Sequence, residues 1–515
     1  MSETRTNPYD AVAYPGHAFS QTHPGHLATI AHFHGMQPAP TAAMRVLELG
    51  CGSGGNLIPM ALQSPGASFV GIDLSASAIA RAKAEAEELG LDNIAFQHLD
   101  IMAADAGLGT FDYILVHGVY SWVPPFVRER ILALFGELLR PQGIAYVSYN
   151  ALPGCRLRDL ARDIMLYETR DTEEPLERVR VARAAIKRFA EATDPGSFYG
   201  AALRERLQQI DEIPDNVLYH DDLNPGARAF ALHEVLDAAA PHGLQFLAEA
   251  SFPNNFGGAQ GPAQQILNAI PVDEPLRQEQ SLDLLIGRCF RQTLLCRSDV
   301  VLHRGFSRFT LAPYHLAANV REAEEKDDRP GVGGFLFGSD VRLAVDLDSA
   351  KAALRALGRA WPGSIGHAEL VAIALREAND SLSPDIERET SRLNEALTAI
   401  YRAGLLEISL EPHRLTTAVS ERPVASLLAR RQALTGNEVT DLRHRAVALD
   451  GVVVRKFVSL LDGTRTAPML LAEINDFLAE AHASGGDSAR LPQRATADEV
   501  EMHLHDVARL GLLAS

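Results

Sequence analysis

"LELGCGSGGN", residues Leu47–Asn56, follows an apolar run and places four glycines in ten positions. Glycine admits positive φ and lets the backbone approach a ligand closely, so a tight, ligand-facing turn is expected here. Gly50, Gly52, Gly54 and Gly55 satisfy both G-x-G-x-G and G-x-G-x-x-G. The turn alone therefore leaves two readings open: a dinucleotide with its pyrophosphate, or a cofactor without phosphate.

Outward from the turn, apolar strands alternate with amphipathic helices from Arg45 to about Asn150. "RVLELG", "SFVGIDL", "IAFQHLD", "FDYILVHG" and "IAYVSYN" read as strands, with "GNLIPMALQ", "ASAIARAKAEAEELG" and "RERILALFGELLRPQG" as helices between them. This alternation predicts an α/β fold with a parallel sheet covered on both faces. Ligands of such sheets bind at the strands' carboxyl ends, here the loops at 50–56, 73–77, 100–103, 117–124 and 149–155. Residues 156 to about 218 are charged and helical. Helix–strand character returns at 230–252, and "FRQTLLCRS" (290–298) reads as a late strand completing the sheet after a helical insertion. "EEKDDRPGVGG" (324–334) reads as a linker. Beyond it, "LNEALTAIYRAGLLEIS" (393–409) and "VEMHLHDVARLGLLAS" (500–515) share a pattern of helix, glycine and apolar pair, which suggests two small winged-helix units.

The chain has 515 residues, 46% hydrophobic and 22% charged, with a formal net charge of −18. That length implies several domains. The acidity disfavours a phosphate backbone as partner, and residues 331–515 alone hold 20 Lys and Arg against 25 Asp and Glu. Arg430, Arg431, Arg443 and Arg445 form the densest basic cluster and read as mostly solvated helix surface. Cys51, Cys155, Cys289 and Cys296 lack metal-ligand spacing, so no metal site and no disulfide framework are expected. The N-terminus has no apolar leader and no stretch approaches a membrane span, which makes a cytoplasmic location the expectation.

Asp73 ends the second strand, placed to accept from a ribose diol, and Asp100 ends the third, where a carboxylate could accept from an adenine amino group. With "VLELGCGSG", "GIDLS", "NIAFQHLDI", "FDYILVHGVYSW" and "LLRPQGIAYVS" in order, residues 45–150 resemble the class I S-adenosylmethionine-dependent methyltransferases. The resemblance implies a Rossmann-like sheet and a turn facing the methionine and ribose end of S-adenosylmethionine. It implies that Glu48, Gly50, Gly52 and Gly54 line the methionine moiety, Asp73 binds ribose, and Asp100 with Ile101 frames adenine. Cys51, Asn56, Leu74 and His117 complete the expected cofactor-binding set.

"YDAVAYPGHAFSQTHP" (9–24), "HGVYSWVP" (117–124), "SYNALPG" (148–154) and "RCFRQTLLC" (288–296) resemble a narrower group. Its members are methyltransferases with a regulatory domain, including the rickettsial outer-membrane-protein lysine methyltransferases. The implied organisation is an N-terminal lid at 1–40, a methyltransferase core at 41–155, an insertion with a regulatory middle domain at 156–303, and a helical, winged-helix-like domain at 335–515. The implied activity is protein-lysine N-methylation. A small-molecule methyltransferase and a non-catalytic S-adenosylmethionine-binding module are the alternatives, and the N/D-PP-Y signature of amide and adenine N-methyltransferases is absent. Expected partners are a polypeptide or small-molecule acceptor, without nucleic acid or membrane insertion. Candidate catalytic residues are His117 as proton acceptor, Tyr120, Tyr149 and Asn150 as groups aligning an amine, and Tyr14 on the lid. Tyr9 and His23 share that segment, and Trp122 reads as a pocket wall.

Overall fold

The computed structural model describes residues 16–251, 261–271, 273–304, 310–324, 329–338, 341–378, 386–483 and 491–514. The chain divides into two compact units. The first comprises residues 1–16 and 30–306, the second residues 17–29 and 307–515.

In the first unit, β1 (Arg45–Leu49), α1 (Leu57–Gln63), β2 (Ser68–Asp73), α2 (Ala76–Glu88), β3 (Ile94–His98), β4 (Phe111–Val116), α3 (Pro125–Leu138) and β5 (Leu139–Asn150) follow one another as the sequence pattern predicts. Strand β4 is buried at every position, the signature of a strand covered on both faces. A helical insertion follows: α4 (Cys155–Glu168), α5 (Pro175–Ala192), α6 (Phe198–Glu212) and α7 (Asp215–Asp221). It has its own core of Ala161, Met165, Ile186, Leu203, Ile210 and Leu218. Then come α8 (Leu232–Ala239), β6 (Leu244–Glu249), α9 (Pro262–Asn268), α10 (Pro275–Ile286) and β7 (Phe290–Arg297).

The sheet order is β3-β2-β1-β4-β5-β7-β6. Strands β1 to β5 pair in parallel, whereas β7 runs antiparallel to both β5 and β6. The last strand of this sheet in chain order is thus inserted between two earlier ones, so the sheet is mixed and not purely parallel. Chain order reverses between β1 and β4, and the loops after β1, β2, β3, β4 and β5 share one edge.

A buried ion network ties β7 to its surroundings. The fully buried Arg291 donates to Asp283 on α10 at 2.8 and 2.9 Å, to Glu279 at 3.0 Å, and to Glu249 at the end of β6. These carboxylates hold the guanidinium firmly charged. The outer strand β6 is guarded differently: the Arg304 guanidinium donates 2.6 Å to the Leu247 carbonyl and also to that of Phe246, occupying backbone acceptors of β6.

The second unit contains two lobes with one plan. In the first, β8 (His315–Ala317) lies between β12 (Ile365–Gly366) and β13 (Glu407–Ser409). Between β8 and β12 stand the antiparallel β9 (Val320–Glu322), β10 (Gly333–Phe337) and β11 (Val341–Val345), then α11 (Asp348–Ala360). Helices α12 (His367–Glu377) and α13 (Ile386–Arg402) precede β13. In the second lobe Val424 and Ala425 pair with Asp462 on one side and Leu513 on the other. The intervening elements are α14 (Leu427–Thr435), β14 (Glu438–Thr440), β15 (Ala446–Ala448), α15 (Val452–Leu460), α16 (Ala467–Ala483) and α17 (Ala497–Arg509).

The look-alike sequences at 393–409 and 500–515 occupy equivalent places, and α13 and α17 end in the same cap. Gly404 and Gly511 both adopt φ 73°. Leu405 and Leu512 N–H reach back to the Ile400 and Val507 carbonyls at 3.2 and 3.1 Å, a Schellman closure that needs glycine at the left-handed position.

Two expectations are corrected here. The 324–334 stretch connects β9 to β10 of one antiparallel sheet, and the boundary between compact units falls at Phe306/Ser307 instead. Charge and glycine content mark a hairpin connection as readily as a linker. Nor are all four arginines solvated: Arg443 and Arg445 stack on Trp361 at 4.7 and 5.0 Å, and Arg443 pairs with Glu407. Among the described residues no helix is long and apolar enough to cross a membrane.

Arg291→Met removes the buried guanidinium that Glu249, Glu279 and Asp283 share, leaves Asp283 paired with Arg288 alone, and keeps the Glu249 carboxylate buried. We expect a loss of about 3–5 kcal/mol in unfolding free energy, read by denaturant titration of the full chain. A variant as stable as the parent would show that the network contributes specificity and no stability.

Candidate functional site

The glycine turn follows β1 on the carboxyl edge of the sheet. Gly50 and Gly52 adopt φ of 78° and 54°, the left-handed region closed to most side chains. A Cβ at Gly50 would stand 2.6 Å from Val119 Cγ2, whereas a Cβ at Gly52 would meet nothing within 4 Å. One glycine thus serves packing and the other opens onto space. The Asp73 carboxylate fixes the turn: one oxygen accepts from the Gly52 N–H at 2.8 Å, the other from the Ser75 N–H at 2.8 Å. Ser75 in turn caps α2 by accepting from Ala78 N–H.

Beneath the turn lies Glu48, buried near the end of β1. One carboxylate oxygen accepts from Asn56 Nδ2 at 2.9 Å, and the other has no hydrogen-bond partner among the described residues. Burial, with a smaller contribution from Asp73, pushes the Glu48 carboxyl up to about 7. Cys51 sits inside the turn, its thiol raised by burial and by the same two carboxylates. Two carboxylates under the turn repel a pyrophosphate and favour a cationic group.

On the β2 and β3 side, Leu74 is 57% and Met102 43% exposed, two apolar side chains left open at adjacent strand ends. Between them Asp100 caps a short turn by accepting from the Met102 N–H at 2.9 Å, and Ile101 is half-buried. An aromatic base would find apolar surface there, with the carboxylate close by.

On the β4 and β5 side, His117 Nδ1 bonds the Tyr146 hydroxyl at 2.9 Å. Burial lowers the imidazole to about 4, so it is neutral at pH 7. The loop carrying it is tied to β5 twice, by Gly118 N–H to Ser148 Oγ and by Asn150 N–H to Ser121 Oγ, both at 2.8 Å. Phe290, 40% exposed, opens β7 opposite Asn150 and meets His117 edge to face at 6.3 Å. Ser121, Ser148, Tyr146 and Phe290 were not among the expected site residues. No local spacing joins residues 29 or more positions apart, and only the sheet order brings them together.

Tyr149 and Tyr120, expected as amine-aligning groups, both pack as buried aromatics. Tyr149 is 1% exposed, its hydroxyl bonded to Thr293 Oγ1 at 2.9 Å across the β5–β7 pair. Tyr120 packs on Phe230 at 5.3 Å and on Tyr149 at 6.1 Å, and burial pushes its hydroxyl up to about 12. Trp122 is half-buried in the same loop. His23 lies in the second unit, its ring 5.2 Å from that of His444. Tyr9 and Tyr14 lie outside the described residues. The segment does reach the turn at its end: a Cβ on Gly16 would stand 3.0 Å from Ser53 Oγ.

A titration prediction follows from Glu48. Its folded pKa lies above the unfolded value, so its contribution to stability is intact below about pH 4.5 and is lost as pH rises toward 7. In the cofactor-free protein, Glu48→Gln should therefore flatten the pH dependence and raise stability at pH 8 by on the order of 3 kcal/mol. Denaturant titrations at pH 5 and 8 check this, and an unchanged difference between the two would contradict it.

Comparison with known proteins identifies the domains of the chain. A family model described as "Methyltransferase domain" matches residues 40–187. "Predicted methyltransferase regulatory domain" matches 214–297, and "PKMT, C-terminal winged helix domain" matches 421–512. The uncharacterized protein RP789 of Rickettsia prowazekii is 30% identical over 453 residues, 86% of this chain and 81% of that protein. A second R. prowazekii protein, RP028, is 31% identical over 240 residues, 46% of this chain and 96% of its own length. PKMT2 from Rickettsia typhi shares the fold, with a TM-score of 0.85 at 23% identity over 98% of this chain and 100% of that one, and it has also been solved in complex with AdoHcy at a TM-score of 0.84. The anionic, glycine-lined cradle and the open apolar pair beyond it fit S-adenosylmethionine, which brings cationic groups at one end and adenine at the other. With its domains matched in order and a relative aligned along most of its length, the chain belongs to the S-adenosylmethionine-dependent methyltransferases that carry a methyltransferase regulatory domain and a PKMT-type C-terminal winged helix.

Proposed function

We propose that the methyl acceptor is the side-chain amine of lysine on a polypeptide, presented at the β4–β5–β7 end of the sheet. The observation that carries this reading is the PKMT winged-helix match at 421–512, joined to a methyltransferase core on the same chain. We further propose that Glu48, Gly50, Cys51, Gly52, Gly54 and Asn56 hold the methionine end of the cofactor. Asp73 takes the ribose, and Leu74, Asp100 and Ile101 take the adenine. The working division of the chain is a lid within 1–40, a core at 41–155, a regulatory middle part at 156–303 and the winged-helix part beyond, in a cytoplasmic protein.

S-adenosylmethionine supplies a methyl group on a cationic sulfur, and the chain's task is to deliver an uncharged amine in line with it. At pH 7, removing the lysine proton costs about 4.6 kcal/mol from a reference pKa near 10.4. An apolar wall and a neighbouring cation both reduce that cost. Phe290 supports the first. His117, neutral because it is buried, adds no opposing charge and offers a hydrogen bond to the amine through a ring whose orientation Tyr146 fixes. With an imidazole that weak, the role we assign to His117 is alignment, with the proton passing onward to solvent. Asn150, half-buried at the end of β5, supplies a second polar contact.

The test is transfer of labelled methyl from S-adenosylmethionine into a cell lysate, with protein and small-molecule fractions separated. Label in protein that disappears when lysines are blocked beforehand is the expected result. Label confined to the small-molecule fraction would replace the polypeptide with a small acceptor. Binding of cofactor without any transfer, in lysates of several sources, would contradict an enzymatic role.

A further inference from the structure

Three of the four cysteines, Cys51, Cys155 and Cys296, are buried and Cys289 is exposed. Cys155 and Cys289 belong to segments in close backbone contact within the first unit. The Cys155 thiol donates to the Cys289 carbonyl oxygen at 3.0 Å. That oxygen also accepts from the Ala151 N–H at 2.9 Å, and the Gly154 N–H reaches the Arg288 carbonyl at 3.0 Å. The chains run so near that a Cβ at Gly154 would stand 2.2 Å from the Gly287 carbonyl oxygen. Standard bond lengths then place the Cys155 sulfur within about 6 Å of the Cys289 Cα, so the two side chains start from neighbouring backbone and a bridge requires their rotation toward each other. The thiols also feel each other electrostatically, since charge at Cys289 raises Cys155.

We propose that Cys155 and Cys289 form a reversible dithiol–disulfide pair, entered through the exposed Cys289. The oxidant is a low-molecular-weight disulfide. The Cys289 thiolate attacks one of its sulfurs, a mixed disulfide forms and one small thiolate leaves. Cys155 then gives its proton to solvent, its sulfur attacks that of Cys289, and the second small thiolate leaves. Two protein thiols lose two protons and two electrons, and one external disulfide becomes two thiols. The order follows from access and acidity. Burial holds the Cys155 thiol up to about 11, so it stays protonated until a mixed disulfide is presented beside it. Cys296, at about 12, and Cys51 are raised by burial in the same way and do not face Cys289's oxidant.

The position gives the pair a consequence. Cys289 immediately precedes Phe290, which pairs with Asn150, and Cys155 opens α4 just after the 151–154 loop. The cross-link would fasten that loop to the start of β7 and stiffen the proposed acceptor end. The effect on methyl transfer rests on the proposed function, whereas the disulfide itself does not.

The test treats the full chain with glutathione disulfide, digests it without reduction and maps the peptides by mass spectrometry. The expected product links the Cys155 and Cys289 peptides within one chain, with Cys51 and Cys296 recovered as free thiols. Cys155→Ser should stop at the glutathione adduct on Cys289, and Cys289→Ser should take up no glutathione. Wild-type protein that keeps the adduct on Cys289 beside a free Cys155, or that links only between chains, would overturn the pair. Methyl transfer, measured on the same samples, should fall several-fold on oxidation and return with dithiothreitol, while Cys289→Ser stays active under both conditions. A linked protein with undiminished transfer would keep the pair and remove its regulatory role. Absence of transfer from reduced and oxidised protein alike would strike the proposed function and leave the peptide map to decide the pair.

Discussion

The first unit's site depends on the Asp73 carboxylate. With one oxygen on the Gly52 N–H and the other on the Ser75 N–H, it binds the turn after β1 to the start of α2. Hydrogen bonds to a charged group are worth about 1.5–3 kcal/mol each, enough to fix a turn whose glycines would otherwise be free. The cost is an anionic neighbourhood in which Glu48, already buried, is pushed further toward its neutral form. The same glycine spacing over a helix N-terminus suits phosphate, but two carboxylates at the turn suit a cation.

The alternating strands and helices between Arg45 and Asn150 were legible because each burial pattern is local. Period-two or continuous apolar runs mark strands, and spaced apolar positions mark helices. The late strand at 290–298 was legible as a strand, but its insertion between β5 and β6 is a long-range property that no window of sequence contains. Glu48 near the end of β1, Gly52 in the turn after it and Asp73 at the end of β2 could be placed from sequence for the same reason as the strands. The acceptor side could not. Tyr120 and Tyr149 look like polar groups beside a ligand until the β5–β7 pairing gives Tyr149 a partner in Thr293 and Phe230 gives Tyr120 a neighbour. Phe290, the aromatic that does open beside His117, owes its place entirely to the antiparallel register.

The second unit shows how a short motif can carry more than its length suggests. Two glycine-capped helices roughly 107 residues apart close with the same pair of backbone bonds, and each hands the chain to a strand position beside the lobe's first strand. The arginine cluster illustrates the opposite case. Arg443 and Arg445 are recruited to the face of Trp361, a cation–π arrangement that composition does not forecast. His17, too, belongs to this unit, its Nδ1 hydrogen-bonded to the Glu438 carboxylate, so part of the N-terminal segment is built into the C-terminal fold.

The account turns on Asp73 acting both as the brace of the glycine turn and as the carboxylate that meets the cofactor ribose. Calorimetric titration of S-adenosylhomocysteine into wild-type protein and Asp73→Ala, with thermal unfolding of both recorded alongside, measures this directly. The account predicts a folded variant whose affinity is weaker by about 1–3 kcal/mol, roughly 5- to 150-fold. Equal affinity in a variant that unfolds cooperatively near the wild-type temperature would contradict it.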